Sequence, residues 1–399
     1  MRRSASAVFL AAALLAVLYA TLSPAPLADS AAAWRVRWRP APGDVLRNFV
    51  LFVPLGAAWA ARGASARSAL LGALALSALL ELAQLGIPGR YGSPWDALGN
   101  TLGAGCGARL AREARRWLAP SRAAAQRLAL AAGALATGSL LLGGWIAAPS
   151  PPAGDYFAHW TPAMAKWSAT DTSLRAASLG GSPLPHGALA DSDALRRALA
   201  GDFDLRLAAL AGRPTADLAA LLWLTNQGGH EVLLVGVEGS DLILRWPGRG
   251  APLGLELPPL RLPERLAQLP PGAPFELLLA RRGAESCVVL GASRTCGLGA
   301  SAGDGWRVLA PELRLPPGLR EGLAAAWIGA LWLPLGFWFT PSAGPLLALS
   351  MTGAATLFTP RLGSLLPTPP SQLIAAALGF FLGALLRRVW RAREAVVPT

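Results

Sequence analysis

The chain is 399 residues long, 53% hydrophobic and only 15% charged, with a mean hydropathy of +0.41 and 15 tryptophans. That balance excludes an ordinary soluble enzyme and points to a membrane protein carrying a water-exposed insert. The net charge of +13 rests on arginine, Lys166 being the only lysine. Most of the arginines flank apolar runs and read as topology signals, and with no basic helix face and no recognition motif, nucleic acid is not an expected partner.

A hydrocarbon core takes roughly 17–25 apolar residues per helix. Eight runs meet or approach that length, at about 5–22, 45–61, 68–87, 95–111, 128–147, 321–340, 344–358 and 371–386. The expected fold class is therefore a polytopic α-helical membrane protein of about eight transmembrane helices with an inserted all-β jelly-roll sandwich. The first run follows Arg2 and Arg3 and reads as a retained helix, because other spans follow; the same run also fits a cleaved signal peptide. Arg2, Arg3, Arg62, Arg67, the dense group from Arg109 to Arg127, and Arg387 to Arg393 all fall on one side of an eight-span arrangement. That side is expected to be cytoplasmic, with both termini there and the insert outside. Arg35, Arg37 and Arg39 break the pattern.

Spans two to four carry three acid–amide pairs at helical spacing: Asp44 with Asn48, Glu81 with Gln84, and Asp96 with Asn100. Residues three or four apart share a helix face, so each helix can present a carboxylate and an amide together. Arg47 and Arg90 lie at the same level, near the outer leaflet. Ionisable groups in a membrane are costly and commonly face a cavity or a partner, so these eight residues are the candidate ligand-binding set. A salt-bridge network that only fixes helix register is the competing reading. Pro54 and Gly56 in "FVPLG", with Gly99, Gly103 and Gly107, read as helix-packing residues, since glycines four apart let backbones approach closely in lipid.

The series Asp44, Asn48, Phe52, Pro54, Gly56, Glu81, Gln84, Arg90, Asp96, Asn100 and Gly103 resembles the VanZ-like membrane family, over about residues 8–112. The resemblance implies an integral protein of the bacterial cytoplasmic membrane, from a group linked to glycopeptide (teicoplanin) resistance, with no settled reaction. It covers nothing of the long insert.

On this reading residues 1–118 form the VanZ-like domain, 119–148 a basic loop and fifth helix, 149–320 a linker plus sandwich, and 321–399 the last helices. In the insert, "FDLRLAALAG", "DLAALLWLTN", "EVLLVGVEG", "DLILRWPG", "PFELLLARRG", "ESCVVLGASRTCGLG" and "WRVLAPEL" are short runs between turn residues, the pattern of an antiparallel sandwich. Their order loosely resembles the concanavalin-like or laminin-G-like jelly roll. Residues 149–202 read as a linker packed on it. Cys287 and Cys296 flank a hairpin turn and are expected to form a disulfide outside the cytoplasm, two reduced core cysteines being the alternative. His159, His186 and His230 are far apart and pair with no Cys or His at ligand spacing, so no metal is expected. No cofactor fingerprint or catalytic elbow is present either. Asp202 and Asp204 form a weak glycosidase-type pair, and Trp223, Trp246 and Trp306 are either sugar platforms or core.

The C-terminal spans repeat the N-terminal ones. "LFVPLGAAW" (51–59) resembles "LWLPLGFWF" (331–339), "LALSALLELAQLGIPGR" resembles "LALSMTGAATLFTPR", and the last span repeats the glycine spacing at Gly379 and Gly383. Glu81 is matched by Ala354, Gln84 by Leu357, Asp96 by Gln372 and Asn100 by Ala376, so the second copy keeps the scaffold without the charges. The repeat is parallel, unlike the inverted repeats of many transporters.

The favoured function is binding of a cell-envelope ligand, a lipid headgroup, glycan or glycopeptide-like amphiphile, at the outer leaflet, with membrane lipids as partners. One alternative is an enzyme in which Asp44, Glu81 or Asp96 acts on a lipid-linked envelope precursor. The other is a structural scaffold.

Overall fold

The structure is a computed structural model that describes residues 3–23, 36–87, 90–162, 167–311, 313–362 and 364–396. Its N-terminal helices are α1 (Arg3–Leu22), α2 (Pro42–Ala61), α3 (Ala66–Gln84), α4 (Pro94–Arg112), the short α5 (Ala114–Leu118) and α6 (Arg122–Ala147). A short amphipathic helix, α7 (Ser192–Ala200), lies in the insert, and α8 (Pro317–Trp338), α9 (Ala343–Leu362) and α10 (Pro370–Val396) close the chain. Serine side chains start three of these helices by accepting backbone N–H groups: Ser65 for α3, Ser93 for α4 and Ser121 for α6. Among the described residues α1, α2, α3, α6 and α10 are long and apolar enough to cross a membrane. Many of their large side chains point outward, with Leu79 65% and Phe381 67% exposed, while alanine, glycine and serine fill much of the helix contacts around a few buried side chains such as Val17, Phe52 and Leu55. An apolar surface with a small-residue interior is the inverse of a water-soluble bundle and suits lipid.

The repeat holds at the level of atomic packing. A β-carbon on Gly56 would lie 1.9 Å from the Ala104 carbonyl oxygen, and one on Gly336 would lie 1.8 Å from that of Phe380. Gly103 meets the Phe49 carbonyl at 2.1 Å and Gly379 that of Gly329 at 2.2 Å, while Gly107 and Gly383 do the same to Val53 and Leu333. Thus α2 on α4 and α8 on α10 are one packing unit used twice, each with a proline inside its first helix, Pro54 and Pro334. Helix α6 packs on α8 and α9 as α1 packs on α2 and α3. Each copy therefore has four helices, and α6, expected as a separate fifth span, opens the second. The match along α9 also shifts: Ala354 and Leu357 face outward, Leu357 being 52% exposed, and the inward positions are Thr352, Thr356 and Thr359. The second copy still lacks carboxylates there, but it keeps hydroxyls, each able to bond its own helix backbone, as Thr352 and Thr356 do.

The insert replaces the connection between the first two helices of the second copy. Its strands are β1 (Tyr156–Trp160), β2 (Ser173–Leu179), β3 (Ser182–Pro183), β4 (Gly187–Ala188), β5 (Phe203–Leu210), β6 (Thr215–Asn226), β7 (Glu231–Gly239), β8 (Asp241–Arg245), β9 (Leu260–Leu262), β10 (Pro274–Arg282), β11 (Glu285–Leu290) and β12 (Ser293–Leu298). They form two antiparallel six-stranded sheets, ordered β4-β1-β6-β7-β8-β9 and β12-β11-β10-β5-β2-β3. Alternation in β5 and β10 sends Leu205, Leu207, Leu277 and Leu279 inward against Leu222, Leu224, Leu233 and Val235. A second cluster of Trp167, Trp223, Leu234 and Ile243 covers the other face of the first sheet, so Trp223 is core. Cys287 and Cys296 are joined across the β11–β12 hairpin, which turns at Gly291 with φ of 57°.

Two expectations for the insert fail. Residues 149–202 are not a linker: β1 pairs with β6 and β2 with β5, because Tyr156, Ala158, Leu174, Ala177 and Leu179 supply alternating buried positions. "WRVLAPEL" is not a strand, since residues 302–308 form a 3-10 helix whose start is fixed by reciprocal bonds between Ser301 and Asp304. Asp202 and Asp204 serve the β10–β11 hairpin, accepting from Gly283 N at 2.6 Å and pairing with Arg282 at 2.8 Å.

Adding a methyl group at Gly103 or Gly383 will lower the stability of the detergent-solubilised protein by about 1–3 kcal/mol, whereas Gly138→Ala, with open space around it, will not. Thermal melts read by size-exclusion chromatography check this. In the sandwich, burial and the neighbouring His186 hold the His159 imidazole below its ordinary value. Such a group contributes stability above about pH 6.5 that is lost as pH falls through the depressed folded value. Acidification below about pH 6.5 should lower the melting temperature, and His159→Gln should flatten that part of the curve.

Candidate functional site

The N-terminal ends of α2 and α4 and the C-terminal end of α3 meet on the side of the bundle that carries the sandwich. Pro42 and Pro94 start α2 and α4 with Asp44 and Asp96 in their first turns, where a carboxylate suits the exposed N–H groups of the helix. Asp44 is held by two guanidinium groups: Arg37 Nη1 donates to it at 3.1 Å and Arg47 pairs with it from one turn along α2. Arg47 reaches further, donating to the Gly254 and Val308 carbonyls of the sandwich at 3.0 and 3.3 Å. Gly43 lets that loop close on α2, since a β-carbon there would lie 2.3 Å from the Gly254 oxygen. The cluster is therefore roofed by the residues around Gly254 and Val308.

Glu81 and Asp96 are differently placed. Glu81 accepts from the Ser93 backbone N–H at 2.6 Å, and Asp96 is approached by the Ser93 hydroxyl and the Asn48 amide. Each feels another carboxylate, Asp96 that of Asp44 and Glu81 that of Asp96. Among the described residues neither forms an ion pair. Deeper along α4, Asn100 is 1% exposed and donates to the Ser77 hydroxyl at 2.7 Å, while its Oδ1 is buried with no hydrogen-bond partner. An unmatched buried amide oxygen costs roughly 1–3 kcal/mol. Two carboxylates outside any ion pair among the described residues, with only Arg37 acting on Asp96 from a distance, and an idle carbonyl make the site rich in acceptors, suited to a group bearing hydroxyl or ammonium protons.

Of the eight residues singled out from sequence, Asp44, Arg47, Asn48, Glu81, Asp96 and Asn100 come together. Gln84 and Arg90 are directed elsewhere. Gln84 donates to the Thr21 carbonyl at 2.9 Å, and Arg90 donates to the Ser23 carbonyl through Nε at 3.0 Å and Nη2 at 2.8 Å. These two fasten the C-terminal end of α1, where a cation also meets the negative end of the helix dipole.

Arg37 and Tyr91 were not foreseen as site residues. A short parallel bridge between Val36 and Gly92 brings their segments together, and the Arg37 guanidinium stacks 3.8 Å from the Tyr91 ring centre. Burial, with help from Asp44 and Asp96 and against the pull of Arg37, raises the Tyr91 phenol above its ordinary value, so it remains a proton donor. The signal for Arg37 lay in the loop arginines that broke the charge pattern: Arg37 pairs with Asp44 from the neighbouring segment. The one group of metal-type donors among the described residues, Glu285 with Cys287 and Cys296, lies in the disulfide hairpin, where the sulfurs are bonded to each other.

Residues 7–116 match the family model described as VanZ/LLP1, just over a quarter of the chain and the part that holds this cluster. Neither a curated protein nor a solved structure matches the chain. A VanZ-like domain at residues 7–116 and several apolar helices identify a membrane-associated protein with the sandwich as an addition to that domain.

Because Arg37 and Arg47 share Asp44, the Asp44→Asn change leaves two partly buried cations without their anion. It should destabilise the first copy by about 1–2 kcal/mol, since all three side chains are partly exposed, and adding Arg37→Gln should recover part of that loss. A double-mutant cycle on detergent melts measures the coupling.

Proposed function

We propose that the VanZ-like domain binds the polar headgroup of a cell-envelope amphiphile, with the sandwich closing the site from outside the membrane. The side bearing the sandwich is read as extracytoplasmic, placing the cluster at the outer leaflet of the bacterial cytoplasmic membrane. Support for that orientation comes from the arginines at the opposite helix ends and from the disulfide, which suits an oxidising compartment. The insert is read as a jelly roll of the concanavalin or laminin-G kind, here acting as a roof through the loop around Gly254.

One observation carries the proposal. The two copies share three close glycine contacts, Gly56 with Gly336, Gly103 with Gly379 and Gly107 with Gly383, yet only the first places carboxylates at the inward positions near the sandwich. Helix packing does not require those charges, because the second copy packs without them. In the second copy the residue matching Asp96 is Gln372, which bonds the sandwich turn directly, its Oε1 accepting from Gly303 N at 3.0 Å and its Nε2 donating to Ser301 at 2.7 Å. The first copy keeps an acid where its twin has a neutral fastening. The acceptors Glu81, Asp96 and Asn100 Oδ1 favour a ligand with hydroxyl or ammonium groups, such as a glycan-bearing lipid, an aminophospholipid or a glycopeptide-like amphiphile.

Lipid mass spectrometry of the purified protein, comparing wild type with Asp96→Asn and Glu81→Gln, tests this. A co-purifying amphiphile should fall at least about tenfold in both variants, the loss of one hydrogen bond to a charged group being worth that much. Identical profiles in folded protein would sink the headgroup reading.

A further inference from the structure

At the ends far from the sandwich, the two copies treat their arginines differently. In the first copy Glu113 pairs with both Arg109 and Arg116, at 3.2 and 3.3 Å. The corresponding end of α10 carries Arg387, Arg388 and Arg391, and among the described residues no carboxylate pairs with any of them. Arg387 is 7% exposed. Its Nη1 donates to the Phe339 carbonyl at the end of α8, at 3.0 Å, but its Nη2 is buried with no hydrogen-bond partner. Thr340, the next residue after Phe339, buries a hydroxyl that also has no partner. Arg391, one helical turn beyond Arg387, adds a second positive charge within its electrostatic reach.

These groups share one deficiency. Like charges at i and i+4 repel, and a buried guanidinium N–H without an acceptor bears a desolvation cost larger than a neutral donor's. The guanidinium and hydroxyl can each donate, so the group that completes the site is an anion with several oxygen acceptors. Its position is that of a membrane interface. Gln372, on the same helix, bonds the sandwich, and fifteen residues at 1.5 Å each put Arg387 roughly 22 Å away along the axis, at the other face. Trp338, bonded to the Trp117 carbonyl at 2.7 Å, and the exposed Trp390 stand beside it as interfacial aromatics do.

We propose that Arg387, Thr340 and Arg391 form a phosphate-binding site on the face opposite the sandwich. The phosphate belongs either to an anionic phospholipid or to a free phosphate ion, and accepts from Arg387 Nη2 and Thr340 Oγ1 while Arg391 supplies the second charge. The guanidinium is suited to phosphate because it offers donors in a planar fork.

The test is native mass spectrometry of the full chain in detergent, titrated in parallel with short-chain phosphatidylglycerol, phosphatidylcholine of equal chain length, and inorganic phosphate. Wild type should prefer phosphatidylglycerol over phosphatidylcholine by about tenfold or more, and Arg387→Gln and Arg391→Gln should each erase most of that preference. Arg115→Gln, an exposed arginine of the other basic group, should leave it unchanged. If Arg387→Gln fails to fold because it loses the bond to Phe339, the exposed Arg391 still decides the matter. Retention of inorganic phosphate that both variants lose, without lipid preference, supports the site and assigns it to the free ion. Equal binding of both lipids with no phosphate retained overturns the proposal, as does an undiminished preference in the Arg391→Gln protein.

Discussion

The contact on which the rest of the molecule depends is backbone against backbone. With no β-carbon at Gly56, Gly103 and Gly107, helices α2 and α4 pack so closely that carbonyl oxygens occupy the space a side chain would need. In lipid, where burying apolar surface gives helices little reason to associate, such van der Waals contact between small residues is the main source of cohesion. The same contact fixes the rotation of both helices. Rotation then decides that Asp44, Asn48, Asp96 and Asn100 face a common space, with Glu81 of α3 on its border. Repeating the contact with Gly336, Gly379 and Gly383 gives a second bundle built alike and free to vary at the corresponding inward positions.

Duplication also explains the sandwich. It enters between α6 and α8, where the first copy has only the segment from 23 to 41. Both copies hold it from the same side, the first through Arg47 on the Gly254 and Val308 carbonyls, the second through Gln372 on the turn at Ser301 and Gly303. One attachment is charged and adjoins three carboxylates, the other neutral and self-satisfied. Arg47 thus belongs at once to the cluster and to its roof, and anything that draws Asp44 away from it acts on the attachment of the sandwich.

Much of this was legible in the sequence where the chemistry repeats or is confined. Long apolar runs gave the helices, glycines four apart gave their contact, and acid–amide pairs on one face gave most of the cluster. Long-range pairing was not legible. Nothing near Arg90 in the chain says that its partner is the Ser23 carbonyl, or that Arg37 stacks on Tyr91. Helix α6 escaped as the first helix of the second copy because its alanines and glycines pack without a motif. The alignment along α9 slipped by two residues because alanine, threonine and leucine alternate there with no charge to mark the inner face. Strands β1 to β4 were missed since they lie among glycine, proline and serine, and β3 and β4 are only two residues each. The 3-10 helix after β12 carried its own sign, a serine three residues before an aspartate, which outweighs a weak alternation of apolar residues.

On the proposed function, Glu81 and Asp96 are retained for a ligand rather than for the fold. A carboxylate kept for binding, outside any ion pair and beside a second carboxylate in a low-dielectric place, weakens the empty protein by more than the helix N-terminus or the distant Arg37 restores, and its removal relieves that cost. The direct measurement is the thermal stability of the ligand-stripped Glu81→Gln/Asp96→Asn double variant in detergent at neutral pH. The expected melting temperature is equal to or above that of stripped wild type. A fall of several degrees would contradict it and make the carboxylates part of the scaffold.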